Sequence, residues 1–99
     1  MAIQTDGSIS DFHSKMYPHA RTAHTLTGIP IEVILGQWAL ESAYGTSDLA
    51  NRAKNFAGIK ATSKGKDFTS GQYAGYFTLG SFARDYARVM NLSYYDGVR

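Results

Sequence analysis

Apolar residues recur at helical spacing near the start of the chain, from Phe12 through Met16, Ala20 and Ala23 to Leu26. Ser10 is placed as an N-cap and Gly28 as a stop, which predicts a first helix between them. Pro30 suits the first turn of a second helix. In that helix Val33, Ile34, Trp38 and Leu40 spread apolar surface over most sides before Gly45 ends it, and a helix apolar nearly all round is expected to be buried. Ser47 predicts a cap for a short third helix, Asp48 to about Ala53. Between Asn55 and Phe77 the pattern changes: Gly58, Gly65, Gly71 and Gly75 punctuate short polar and aromatic pieces, which predicts a small hairpin flap. Ser81 then caps a last helix carrying Phe82, Tyr86, Val89 and Met90, and "NLSYYDG" closes it. No internal repeat, low-complexity tract or linker interrupts this order, so the 99 residues read as one mainly helical α+β domain.

Composition narrows the function classes. With 43% hydrophobic and 18% charged residues the chain is globular rather than disordered. A net charge of +2 is far from the dense basic patch of a nucleic-acid binder, so no nucleic-acid partner is expected. Cysteine is absent, which excludes disulfides, thiolate metal sites and cysteine nucleophiles. The start "MAIQTDGSIS" has neither a basic nor an apolar signal region, and nowhere is there an apolar run of about 18 residues, so no membrane insertion is expected. If the protein acts outside a cytoplasm, a larger parent polypeptide, a virion assembly or a lysis pore must deliver it.

The chemistry centres on "LGQWALESAYG", in which Glu41 is the one charged side chain. At 100° per residue Glu41 shares a helix face with Ile34 and Gln37, flanked by Trp38 and Tyr44. Burial beside aromatic surface and the helix C-terminus both disfavour a charged carboxylate, which predicts an acid able to donate a proton, as cleavage of a glycosidic bond requires. The plainer alternative is an ion pair, or a side chain turned into solvent. His13, His19 and His24 are spaced by six and five residues, and the two that share a face lie roughly 16 Å apart along the axis. Metal ligands on a helix need i, i+4 spacing, so no metal site is expected.

"GIPIEVILGQWALESAYGTSDLA" followed by "NFAGIK" resembles the N-acetylglucosaminidase domains of glycoside hydrolase family 73, the flagellar, autolysin and phage-lysin type of peptidoglycan hydrolase. Such domains carry a "GIPxSVxLAQxxLESxWG" helix, a short helix and then "NLFGIK". The later "GSFARDYARVMNLSYYDGV" is similar to the family's "xSFxDYxxxLxNPRYxxV", matching at Ser81, Phe82, Asp85, Tyr86 and Tyr95, with "LSY" in place of "PRY". The resemblance covers roughly residues 10 to 98. It implies a lysozyme-like fold with a small β-hairpin lobe, no cofactor, and peptidoglycan glycan strands as partner. It also implies hydrolysis of the β-1,4 bond after N-acetylglucosamine on the bacterial cell wall, with Glu41 as general acid. Gln37, Tyr44, Asn55, Phe56 and Lys60 are then candidates for substrate contact, and Tyr44, Phe68, Tyr73 and Tyr76 for the aromatic surface on which sugar rings pack.

Two departures bear on the mechanism. Family members usually carry a longer β-lobe with a second acidic residue. Here the stretch from Lys60 to Phe77 holds only Asp67, which is either the water-activating base or a hairpin turn residue; failing it, the substrate's own N-acetyl group could assist. Related domains also continue past the "NPRY" equivalent with a further helix and a tyrosine, so the chain is either a minimal version or truncated at its C-terminus. Two other functions fit less well. A lytic transglycosylase would show a "GLMQ"-like run where "NFAGIK" stands. A glycan-binding or structural virion module would keep the fold without turnover, and the short flap favours it. The cleft is expected between the helix ending at Glu41 and the flap of residues 60 to 77.

Overall fold

The computed structural model describes residues 8–93, so Tyr95, and with it the expectation of a minimal or truncated C-terminus, lies outside the described residues. Helix α1 (Ile9–Thr27) starts two residues earlier than the periodicity suggests, because Ser8 rather than Ser10 accepts the Asp11 amide, at 3.0 Å. It ends as expected at Gly28, whose φ of +80° lets its amide turn back to the His24 carbonyl. Phe12, Met16, Ala20 and Ala23 form the buried stripe, and Leu26 is left exposed.

Helix α2 (Ile31–Ser42) follows Pro30 and stops three residues short of Gly45. Ala43 and Tyr44 both take left-handed conformations, at φ 52° and 55°. Ser42, fully buried, holds this bend: its hydroxyl donates to the Trp38 carbonyl at 2.6 Å and accepts from the Gly45 amide at 2.9 Å. The expectation of an all-round buried helix is not met. Ile34, Leu35, Trp38 and Ala39 are buried, whereas Val33 and Leu40 are 56% and 81% exposed, because α1 packs on one side of α2 and the described residues leave the other open.

Helix α3 (Asp48–Ala53) has the expected cap, with the Ser47 hydroxyl accepting the Ala50 amide at 3.1 Å. Strands β1 (Phe68–Ser70) and β2 (Tyr73–Gly75) then form an antiparallel hairpin in which Phe68 faces Gly75 and Ser70 faces Tyr73. Helix α4 (Leu79–Ser93) begins before Ser81, since Thr78 supplies the capping hydroxyl to the Ser81 amide at 3.0 Å. The architecture is thus mainly helical α+β.

The elements meet at Phe82 on α4. Its ring lies 4.9 Å from Trp38 of α2, 5.8 Å from Phe56 and 5.6 Å from Tyr76 beyond the hairpin. Phe56 in turn packs on Phe12 of α1 at 6.3 Å. Each such pair contributes roughly 0.5–1.5 kcal/mol beyond its buried area, so this aromatic cluster fixes how the helices and the hairpin sit on one core.

Candidate active site

The segment after α3 is shaped from within by Asn55. Its buried side chain donates to the carbonyls of Ile59 at 2.9 Å and Ala74 at 2.8 Å, and accepts from the amides of Ala57 and Ile59 at 3.2 and 3.1 Å. One amide therefore closes the loop on itself and ties it to β2. Phe56 points into the core and is 0% exposed. Both residues, expected to contact substrate, are buried in building this loop, because its backbone groups and its large apolar side chains, Phe56 and Ile59, need partners once removed from water.

That loop lies under Glu41. The Glu41 Oε1 atom is 3.4 Å from the position a Cβ would take on Gly58, and Gly58 itself has φ +65°. A side chain at position 58 would be strained by this backbone conformation and would come into contact with the carboxylate. Glu41 is exposed, not buried against Trp38 as the sequence suggests: Trp38 is the fully buried neighbour, and Glu41 lies on the open side of α2 with Leu40. Tyr44 turns back toward α1, edge-on to Phe12 at 5.9 Å, and is half-buried.

Beside Gly58 opens a groove of about 630 Å³. Its walls are Gln37 of α2, the loop from Ala57 to Lys64, and the second half of α4 from Tyr86 to Leu92. Glu41 stands at the rim, next to Gly58, one helical turn beyond Gln37. The Tyr86 hydroxyl donates to Gln37 Oε1 at 2.6 Å and so orients the Gln37 amide in the groove. Burial pushes the Tyr86 phenol up to about 12, keeping it a neutral donor.

The hairpin does not form the facing wall of this groove; α4 does. Tyr76 is 1% exposed, with its hydroxyl on Asp85 at 2.5 Å, and burial, followed by that hydrogen bond and the Asp85 charge, raises its pKa. Tyr73 is half-buried beneath the Lys60 ammonium, 4.5 Å from the ring centroid. Phe68 stacks on Phe77 at 5.4 Å. The hairpin aromatics are thus occupied with one another, with Lys60 and with α4. Of the sequence candidates, Gln37 and Lys60 line the groove and Glu41 flanks it.

Asp67 sits just before β1, exposed, and its Oδ2 accepts from the Phe77 amide at 2.9 Å and the Ser81 hydroxyl at 2.7 Å. It joins the base of the hairpin to the start of α4, and it is not among the groove walls.

Sequence reasoning matched Asp85 to the family motif and read Tyr76 as sugar-packing surface, but did not foresee the buried cluster they form with Ser63 and Arg88 of the groove wall. Asp85, 3% exposed, accepts from Ser63 at 2.6 Å, Tyr76 at 2.5 Å and Arg88 Nε at 3.0 Å, while Arg88 also donates to Ser63 at 2.8 Å. Gly65 lies so close that a Cβ there would overlap the Asp85 carboxylate. The signal available was a lone Asp on the apolar face of α4, between Phe82 and Tyr86, which calls for buried donors.

No protein of curated function and no solved structure matches the chain. Residues 17–99 match the family model for Glucosaminidase, described as mannosyl-glycoprotein endo-beta-N-acetylglucosaminidase. The match runs from α1 to the end of the chain and so takes in the Glu41 helix, the Asn55 loop and the α4 wall. With most of its length inside that family, the chain belongs to the glucosaminidases of glycoside hydrolase family 73 and is a glycoside hydrolase of the endo-β-N-acetylglucosaminidase type.

Proposed function

We propose that the protein hydrolyses the β-1,4 bond that comes after N-acetylglucosamine in peptidoglycan, with Glu41 donating the proton to the departing glycosidic oxygen. The observation that carries this reading is the placement of the Glu41 carboxylate over Gly58, beside a groove of about 630 Å³. An exposed carboxyl becomes a competent acid when the bound glycan covers it and excludes water. The Tyr86-anchored Gln37 amide, one turn away, supplies a fixed hydrogen-bonding group for a sugar. Lys60, also in the wall, is a second candidate contact.

The second catalytic group is assigned to the substrate. Among the described residues no carboxylate lines the groove, and Asp67 is engaged with Phe77 and Ser81. In this scheme the acetamido oxygen of N-acetylglucosamine attacks its own anomeric carbon as Glu41 protonates the leaving oxygen. Water then adds to that carbon and returns a proton to the Glu41 carboxylate, so one water is consumed per bond and Glu41 is regenerated. No described helix is long and apolar enough to cross a membrane, and the proposed site of action is the bacterial cell wall.

The test is digestion of purified peptidoglycan by the native protein and by Glu41→Gln, with fragments identified by mass spectrometry. Reducing-end N-acetylglucosamine is expected from the native protein, and a rate about 10²–10⁴-fold lower from Glu41→Gln. Anhydro-muramyl ends would instead identify a lytic transglycosylase, and retained glycan binding with no fragments from either protein would identify a binding module.

A further inference from the structure

A second groove, of about 610 Å³, opens between α1 and the start of α2 and is nearly the size of the one beside Glu41. At 100° per residue Glu32 and Leu35, in its wall, lie about 140° and 160° around α2 from Gln37, so the two grooves flank opposite sides of that helix. Glu32 is also separated from Glu41 by about 13.5 Å of helix rise. The α1 wall is aromatic: the rings of His13 and Tyr17, one turn apart, have centroids 5.5 Å apart and planes 32° apart, and Tyr17 is 40% exposed. Ile31 and Leu35 add apolar surface from α2. The charged and polar groups beside them are acceptors. His24 Nδ1 lies 2.7 Å from the Ile29 carbonyl, which can only accept, so Nδ1 carries the hydrogen and the neutral ring keeps Nε2 as an acceptor. Glu32 contributes an exposed carboxylate.

This lining narrows the ligand. No lysine or arginine stands in it to hold a phosphate or carboxylate, and among the described residues no three metal-ligating side chains gather. A pyranose ring fits what remains, because its C–H face packs on aromatic rings and its hydroxyls donate to acceptors. Resting on the cell-wall reading of the Glu41 groove, we propose that this second groove binds a sugar ring of a neighbouring glycan strand and anchors the enzyme to the wall without taking part in cleavage. The C–H face of the sugar lies on Tyr17 and His13, and its hydroxyls donate to His24 and Glu32. Insoluble wall presents many strands beyond the bond being cut, so a held neighbour raises the effective concentration of strand at Glu41.

Location, binding and cleavage are measured separately. The imidazole NMR signals of the Glu41→Gln protein are followed during titration with tetra-N-acetylchitotetraose. Those of His13 and His24 are expected to shift, and that of His19, which does not line the groove, to stay in place. Retention on insoluble peptidoglycan is then compared between Glu41→Gln and Glu41→Gln combined with Tyr17→Ala, a change at an exposed ring whose fold is checked by thermal melting. Loss of the ring should weaken retention about threefold to tenfold. Tyr17→Ala alone should cleave a soluble muramyl tetrasaccharide at the native rate. Unmoved His13 and His24 signals, retention unchanged by Tyr17→Ala in a folded protein, or a tetrasaccharide rate that falls with it overturns the proposal. So does a dimer in sedimentation that Tyr17→Ala dissociates, which would give the groove to a second copy of the chain. Tyr17-dependent retention without cleavage by the native protein supports the anchor while overturning the reaction assigned to Glu41.

Discussion

Asparagine in place of Asp85 is expected to be the most damaging conservative change in the protein. Asp85 Oδ2 takes the hydroxyl protons of Ser63 and Tyr76 at 2.6 and 2.5 Å, and Oδ1 takes Arg88 Nε at 3.0 Å. Asparagine has the same shape but a single acceptor oxygen. If that oxygen stays with the two hydroxyls, its amide nitrogen meets the Arg88 donor; if it turns to Arg88, both hydroxyls lose their acceptor. A hydrogen bond to a charged partner is worth about 1.5–3 kcal/mol net, and breaking a fully buried pair costs about 3–5 kcal/mol. Arg88 is 39% exposed, so water recovers part of its loss and the expected cost is at the lower end, about 3 kcal/mol. For a chain of this length each kcal/mol lowers Tm by about 4–8 °C, which puts the fall at roughly 12–24 °C. Thermal and urea unfolding followed by circular dichroism measures it, and Tyr76→Phe, alone and combined with Asp85→Asn, provides a double-mutant cycle. A cost below about 1 kcal/mol, or strict additivity with Tyr76→Phe, would refute the claim that one shared carboxylate couples loop, hairpin and α4.

Asn55→Ala removes four hydrogen bonds to the backbone at once, although the Ile59 carbonyl keeps the Ala74 amide, and is expected to cost about 2–4 kcal/mol in urea unfolding, with activity falling as the Gly58 loop loosens under Glu41. Asp67→Ala should cost about 1 kcal/mol, since the hydrogen bonds lost are exposed, and should slow cleavage far less than the hundredfold that loss of a water-activating base brings; a larger drop in kcat would restore Asp67 as that base. Alkaline stability should report the buried tyrosines. The Tyr86 phenol is raised from 10.0 to about 12 in the folded state, so the stability it contributes is complete below pH 10 and is lost as pH rises through 12. Tyr86→Phe should therefore flatten the stability curve between pH 10 and 12, leaving the residual slope of Tyr76, whose phenol is raised as well.

The local grammar of the chain determined the elements. Ser47 and Asp48 open α3 where a cap and an acid should, Gly28 ends α1 through a left-handed turn, and Gly71 turns the hairpin, because capping and positive φ are decided by a few neighbouring atoms. The same locality explains why Glu41 stood out: a lone carboxylate in an apolar helix is visible in the sequence. Its surroundings were not. A helix apolar on most sides does not say which side will be covered; α1 packs on α2 and the Phe82 and Tyr86 rings of α4 meet Trp38, while Glu41 and Leu40 stay outside. The groove depends on residues far apart in sequence, with Gln37 held by Tyr86 across 49 positions and Ser63 by Asp85 across 22. Hairpin aromatics read as a sugar platform became packing against Lys60, Phe77 and α4 for the same reason: a ring joins whichever surface the rest of the chain brings to it, and that choice exists only once the core has closed.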